Sequence, residues 1–265
     1  MLALRKIPIT LTIAGSDSGG GAGIQADLKT FAAFGVHGTS AIACLTAQNP
    51  RRVLGIEPCS PQMLRLQLEA LFEELPPAAA KTGMLFSAAN IRVVAEFFKN
   101  QRRFARVPLI VDPVIVSTSG AKLLERGVLK FLTDRLLPLA ALVTPNVPEA
   151  ELLVGQKISS IKEMGDAARK IHSRWGCAVL LKGGHLRDGR HATDVFFDGK
   201  AETLLRAPFI ENIRTHGTGC AYSAAICAAL AQGQSLSQAV RTGKKFVTRA
   251  ISASYRAGKH FALGI

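Results

Sequence analysis

Thr215-His-Gly-Thr-Gly-Cys220 runs directly into Ala-Tyr-Ser-Ala-Ala-Ile-Cys-Ala-Ala-Leu230, a glycine turn opening an apolar helix. First-turn amides of a helix lack intrahelical acceptors, glycine lets a ligand approach the backbone, and the helix end carries partial positive charge. Gly217, Thr218 and Gly219 are therefore placed to hold an anion, phosphate above all. After Glu211 there is no Asp or Glu, whereas Arg214, Arg241, Lys244, Lys245, Arg249, Arg256 and Lys259 all follow it. A proton acceptor drawn from this segment is then Cys220 or His216. Cys220 is preferred, because a helix N-terminus is expected to lower the pKa of a thiol. The plainer reading is a capping turn before a buried helix, with Cys220 as a small core residue.

A second glycine-rich stretch, Ala14-Gly-Ser-Asp-Ser-Gly-Gly-Gly-Ala-Gly23, precedes the helix that starts at Ile24. It has neither Gly-x-x-x-x-Gly-Lys-Ser/Thr nor Gly-x-Gly-x-x-Gly spacing, so it suits a small uncharged substrate better than a nucleotide. Gln48 offers a donor and an acceptor side by side, the pair that the edge of a heteroaromatic ring requires. Met84 can add an apolar wall. Asp112, Asn146 and Glu149 follow strand-like runs, and oxygen ligands at separate strand ends suit magnesium held partly by water and phosphate. Glu149 can equally cap the helix that follows it. Lys182, before Gly183-Gly184, can offset charge on a transferring phosphoryl group.

These residues need elements to position them. Ile7 to Ala14, Ala41 to Thr46, Leu109 to Val111, Ala141 to Val143 and Ala178 to Leu181 read as strands separated by amphipathic stretches. This βαβ alternation predicts a mostly parallel sheet with helices on both faces and ligands outside the carboxyl ends of the strands. Two strand-like runs between Ala192 and Ala207, around Asp198-Gly199, predict a hairpin at one edge of the sheet. With 265 residues, 48% of them hydrophobic, and no linker or repeat, a single domain over 1–265 is the simplest division.

No apolar run approaches the roughly 20 residues that span a bilayer, and no signal-peptide pattern opens the chain, so a cytoplasmic location is expected. Five cysteines, Cys44, Cys59, Cys177, Cys220 and Cys227, lack Cys-x-x-Cys spacing and indicate neither a disulfide framework nor zinc. The net charge of +14 raises nucleic acid as a partner. Its basic pairs, Arg51-Arg52, Arg102-Arg103 and Lys244-Lys245, are scattered and aromatics make up only 6%, so the charge is read as attraction for small phosphorylated ligands.

Taken in order, the motifs resemble the hydroxymethylpyrimidine/phosphomethylpyrimidine kinases of thiamin biosynthesis, which have a ribokinase-like fold. The resemblance rests on Ala14-Gly-Ser-Asp17, Gly20-Gly-Ala-Gly-Ile-Gln-Ala-Asp-Leu-Lys-Thr30, Thr46-Ala-Gln-Asn49, Lys81-Thr-Gly-Met-Leu85, Val111-Asp-Pro-Val114, Thr144-Pro-Asn146 with Pro148-Glu149, Leu181-Lys-Gly-Gly-His185 and Thr215 to Cys220. It implies a three-layer α/β/α sandwich that uses ATP and magnesium to phosphorylate 4-amino-5-hydroxymethyl-2-methylpyrimidine and then its monophosphate. Under it, Gln48 binds the ring, while Gly15, Asp17, Ala22, Met84 and Val114 complete the substrate pocket. Cys220 takes the hydroxyl proton, the turn Gly217-Thr218-Gly219 and Lys182 hold phosphate, Asn146 and Lys244 lie beside the nucleotide, and Asp112 and Glu149 organise magnesium. A homodimer is implied by resemblance alone. Ser18-Gly19, Pro50 and a tail without Gly-Lys-Gly depart from the family pattern. A pyridoxal or pyridoxine kinase of the same fold is the nearest alternative, and a non-catalytic pyrimidine or phosphate binder the alternative from another class.

Overall fold

The structure, a computed structural model, describes residues 6–100, 107–115, 127–184, 186–188, 190–211 and 216–265. Thr215, Arg214, His185 and the Arg102-Arg103 pair lie outside the described residues.

In chain order, β1 (Ile9–Asp17) leads through α1 (Gly23–Ala33) to β2 (His37–Asn49), which pairs with β3 (Arg52–Pro58). Then come α2 (Pro61–Glu74), β4 (Ala79–Thr82), α3 (Ala88–Asn100), β5 (Leu109–Val111), the short α4 (Val128–Phe131) and β6 (Leu142–Val143). α5 (Val147–Val154), α6 (Ile161–Trp175), β7 (Ala178–Leu181), β8 (Arg187–Asp188), β9 (His191–Phe197) and β10 (Glu202–Pro208) follow. The chain closes with α7 (Thr218–Ala231), α8 (Leu236–Ser252) and a small ribbon of β11 (Tyr255–Ala257) and β12 (His260–Ala262).

The main sheet has the order β10-β9-β7-β6-β5-β4-β1-β2-β3, with β8 on β9. Strands β2, β1, β4, β5, β6 and β7 run parallel. The β9–β10 hairpin adds antiparallel to β7 at one edge, as the Asp198-Gly199 signal predicts. Gly199 takes φ 96°, a conformation glycine reaches without a Cβ clash.

Strand alternation divides the core between two faces. Leu109, Val111, Val179 and Leu181 pack with Leu64 and Leu68 of α2, Val94 of α3 and Ile171 of α6. Ile110 and Leu180 point the other way, onto Phe31 of α1, Ile226 and Ala228 of α7 and Val240 of α8. Each fully buried Leu or Ile contributes about 1.5–3 kcal/mol of transfer free energy, so both faces hold their helices, and the three-layer α/β/α expectation is met. Helix α7 has no polar face because it lies between α1, α8 and the sheet, with Ala221 to Ala229 all buried.

Two boundaries differ from the sequence expectation in ways that matter for the site. β1 continues past Ala14 to Asp17 after a bulge, because Gly15, Ser16 and Asp17 still pair with Cys44, Leu45 and Thr46 of β2. β2 extends to Asn49, so Gln48 is a strand residue opposite Val53 rather than a loop residue. Both residues are thereby fixed by backbone pairing.

Candidate active site

Helix α7 begins at Thr218 with Gly217 as its N-cap, at φ 80° and without a side-chain cap. A Cβ at Gly217 would collide with the carbonyl of Gly21, so only glycine lets this turn close against the first glycine loop. A Cβ at Gly219 would stand 3.1 Å from Nζ of Lys182 and 3.7 Å from Oδ2 of Asp112. The amides of the turn therefore share a small space with a cation and a carboxylate.

That cation and carboxylate are paired: Nζ of Lys182 lies 3.0 Å from Oδ1 of Asp112. Thr144 also donates to Oδ1, and Ser223 to Oδ2 at 3.4 Å. Burial pushes the Asp112 carboxyl up, but the Lys182 and Lys81 charges outweigh it and hold the group below its usual range. For Glu149 the balance reverses, since burial and the Asp112 charge raise it against Lys182 and two backbone donors. Those donors are the amides of Ile115 and Asn146, and the Asn146 side chain in turn accepts from the Glu149 amide at 2.9 Å. The helix-capping alternative for Glu149 is thus realised as a full capping box. Asn146, expected beside the nucleotide, lines the cavity but spends its carbonyl oxygen on this cap. Val114, next to Ile115, takes φ 40°, a strained conformation for a β-branched residue.

At the end of β1 the Asp17 carboxylate accepts from the amides of Gly19 at 2.8 Å, Gly21 at 3.2 Å and Ala22 at 2.8 Å. Its oxygens shape the glycine loop, and Asp17 also lines the cavity described below. Burial raises its pKa, but His216 and these amides prevail and keep it below 3.8. Gly15 is required by contact: a Cβ would meet Sγ of Cys44 at 2.8 Å and Cε of Met84 at 3.0 Å. Nε2 of Gln48 lies 2.8 Å from Nε2 of His216, which is itself 3.5 Å from Oδ2 of Asp17.

The Cys220 thiol does not have the lowered pKa expected at a helix N-terminus. Burial dominates its thiol and pushes its pKa up to about 11, despite Lys81 and the Gly23 amide acting in the opposite direction. The helix N-terminus does not yield a preformed thiolate, because desolvation penalises the charged form more than the helix end favours it.

Several residues were missed from sequence. Lys81 and Asp27 form a fully buried ion pair at 2.8 Å, with Thr12 donating to the same carboxylate at 2.6 Å. Lys81 stays charged because Asp27 and Asp112 face it. A lysine inside the apolar strand Ala79-Ala80-Lys81-Thr82, and an aspartate on the face of α1 that also carries Ile24 and Phe31, were the available signals. Asp194 was also missed. It accepts from Lys244 at 2.7 Å, from Tyr222 at 3.2 Å and from the Gly183 amide at 2.9 Å. Lys244, expected at the nucleotide, is thus held by Asp194 and the Ala192 carbonyl. Among the described lysines and arginines that follow Glu211 it is the one that lines the cavity.

That cavity, of about 860 Å3, unites the two ends of the site. Gly15, Asp17, Ala22, Gln48, Met84 and Val114 line it. Asp112, Asn146, Glu149, Lys182 and Lys244 line it too, as does the turn from Gly217 to Cys220. Among the described residues no group of three or more metal-ligating side chains converges. Asp112 and Glu149 offer hard oxygen donors, a set that fits magnesium held largely through water and phosphate.

A family model described as phosphomethylpyrimidine kinase matches residues 17–263. The hydroxymethylpyrimidine/phosphomethylpyrimidine kinase of Synechococcus elongatus is 44% identical over 253 residues, covering 96% of this chain and 95% of the relative. A thiamine biosynthesis bifunctional protein of Geobacter sulfurreducens is 47% identical over 249 residues; the match takes in 94% of this chain but 50% of that protein, so the chain spans about half its length. Among solved structures, a phosphomethylpyrimidine kinase from Clostridium difficile superposes with a TM-score of 0.80 at 41% identity, covering 93% of this chain and all of that one. A pyridoxal kinase of Bacillus subtilis in complex with ADP superposes at 0.89 with 34% identity, covering 97% of each chain.

Proposed function

The chain belongs to the phosphomethylpyrimidine kinase family, and from that premise we propose that it transfers the γ-phosphoryl group of ATP to 4-amino-5-hydroxymethyl-2-methylpyrimidine, then to the monophosphate, in thiamin biosynthesis. The observation that carries this reading is a single cavity lined by Gln48, by Lys182 and by the N-terminus of α7, whose N-cap Gly217 has no side-chain cap. A ring-bearing alcohol and a terminal phosphate would meet there. The reading also takes the chain as one domain, acting as a cytoplasmic homodimer.

In the reaction the substrate hydroxyl oxygen attacks the γ-phosphorus in line, the bond to the bridging oxygen breaks, and ADP leaves. Gln48 orients the ring, with Gly15, Ala22, Met84 and Val114 walling it. The amides of Gly217, Thr218 and Gly219 face the charge that spreads over the transferring group, where preorganised donors act most strongly. Lys182 adds its cation, and Lys244 stands towards the nucleotide from α8. Asp112 and Glu149 would hold magnesium, which supplies charge neutralisation on phosphate oxygens. The hydroxyl proton passes to Cys220 in its thiolate form, a minor species at neutral pH given the raised pKa of this half-buried thiol.

The test is ADP release by the purified protein with ATP, magnesium and each alcohol in turn. Turnover of the pyrimidine alcohol, and then of its monophosphate, supports the proposal. The structural likeness to pyridoxal kinase favours a second reading, and pyridoxal turnover far faster than that of the pyrimidine would establish it instead. Tight binding without any ADP release would make the protein a binder.

A further inference from the structure

We infer that His216 is a specificity-determining positioning residue: it sets the orientation of the Gln48 side-chain amide and so selects the ring edge that the acceptor alcohol must present. This inference rests on the proposed pyrimidine kinase activity and deepens it.

A primary amide carries an acceptor oxygen and a donor nitrogen side by side. An aminopyrimidine edge carries a ring-nitrogen acceptor beside an amino donor. The two pair in one orientation only, and turning the amide over sets donor against donor and acceptor against acceptor. The neighbours that hold the Gln48 amide therefore decide which ring edge is accepted.

Two neighbours among the described residues touch it. Oγ1 of Thr46 lies 3.4 Å from Oε1 of Gln48, but this hydroxyl has a single proton and places it on the Ser16 carbonyl at 2.9 Å. Thr46 is thus a weak and permissive contact. His216 is the strong one, with Nε2 at 2.8 Å from the Gln48 nitrogen. An amide nitrogen only donates, so Nε2 of His216 accepts and the imidazole proton sits on Nδ1; the tautomer of the imidazole and the orientation of the amide are thus locked together.

The imidazole itself is well held. Its Nε2, which accepts from Gln48, has Oδ2 of Asp17 as a packing neighbour at 3.5 Å, a carboxylate fixed by three loop amides. Its ring lies against Gly21, where a Cβ would come within 3.3 Å of Cδ2. It also immediately precedes Gly217, the N-cap of α7, so ring recognition and the phosphate turn are joined through one residue.

The experiment is a double-mutant cycle on His216→Leu and Gln48→Leu, measuring KM and kcat for the pyrimidine alcohol, for pyridoxal and for ATP. His216→Leu is expected to raise KM for the pyrimidine alcohol about tenfold, the scale of one mis-set hydrogen bond, and to lower the preference for it over pyridoxal while KM for ATP stays in place. In the Gln48→Leu background the same change is expected to add less than about twofold, because the amide it acts through is gone. His216→Gln, which reaches Gln48 with a polar group, should recover most of the selectivity, whereas the shorter His216→Asn should not; this pair carries the test if the leucine variant fails to fold. Equal losses in both backgrounds, equal losses on both alcohols, or a parallel rise in KM for ATP would overturn the inference. Absence of pyrimidine turnover in the unmodified enzyme would instead overturn the proposed function.

Discussion

Nζ of Lys182, at the end of β7, and Oδ1 of Asp112, at the end of β5, face each other at 3.0 Å beside the first turn of α7. Both groups are buried enough that neither charge is tolerable alone, so the pair holds a cation next to the glycine turn that opens α7. In the proposed reaction the lysine charge becomes available to the transferring group when phosphate and its counter-ion enter.

Lys182→Met is therefore expected to lower kcat by about 10²–10³-fold, the usual loss when one preorganised electrostatic group is removed. ADP release reads this directly. A thermal melt of the same variant should also fall, because Asp112 is left without its main partner. A variant with near wild-type turnover would remove Lys182 from the chemistry.

In the proposed reaction Cys220 is the group expected to set the pH dependence. A thiol with its pKa near 11 is about 10⁻⁴ ionised at pH 7, and that fraction grows tenfold with each pH unit. If the thiolate takes the proton, kcat/KM should climb with pH from 7 to 9 in the wild type, and Cys220→Ala should lose most turnover while still binding nucleotide. The alkylation rate of Cys220 should rise along the same line. A flat profile with an intact rate in the alanine variant would assign the thiol to pocket shape alone.

The buried Asp27–Lys81 pair makes a stability prediction that does not depend on the reaction. Asp27→Asn strands a fully buried lysine charge and should cost about 3–5 kcal/mol. For a chain of this size that lowers Tm by roughly 10 °C. The double variant Asp27→Leu/Lys81→Met, which removes both charges, should melt well above the single one. Calorimetry or circular dichroism on the three proteins checks the order.

Asp17 predicts behaviour in acid. Its carboxyl is held below the ordinary 3.8 in the folded chain, so its contribution is fully present above that value and is lost as the pH falls through the lower folded pKa. Asp17→Asn should therefore be less stable at neutral pH and should flatten the acid limb of the stability profile. Chemical unfolding between pH 2 and 7 measures it; an unchanged acid limb would show that the loop amides do not depend on this carboxylate.

Much of the architecture was legible in the amino-acid order because it depends on local periodicity. The runs at Leu109 to Val111 and Ala178 to Leu181 became strands with those limits, and Asp198-Gly199 became the hairpin turn. Strand ends could be searched for chemistry because parallel sheets collect their ligands there. The residues singled out on that ground do line one cavity.

What the order of residues determined, then, is which side chains end the strands and where a glycine turn opens a helix, since both follow from the period of apolar residues and the backbone freedom of glycine. Tertiary structure alone decided what those side chains do electrically. Burial raised the Cys220 thiol that a helix end was expected to lower. Lys81 found Asp27, 54 residues away, Lys244 found Asp194, 50 residues away, and Gln48 met His216 across 168 residues. Desolvation and partner charge depend on distances in space, and distances in space are fixed only once the sheet has brought the strand ends together.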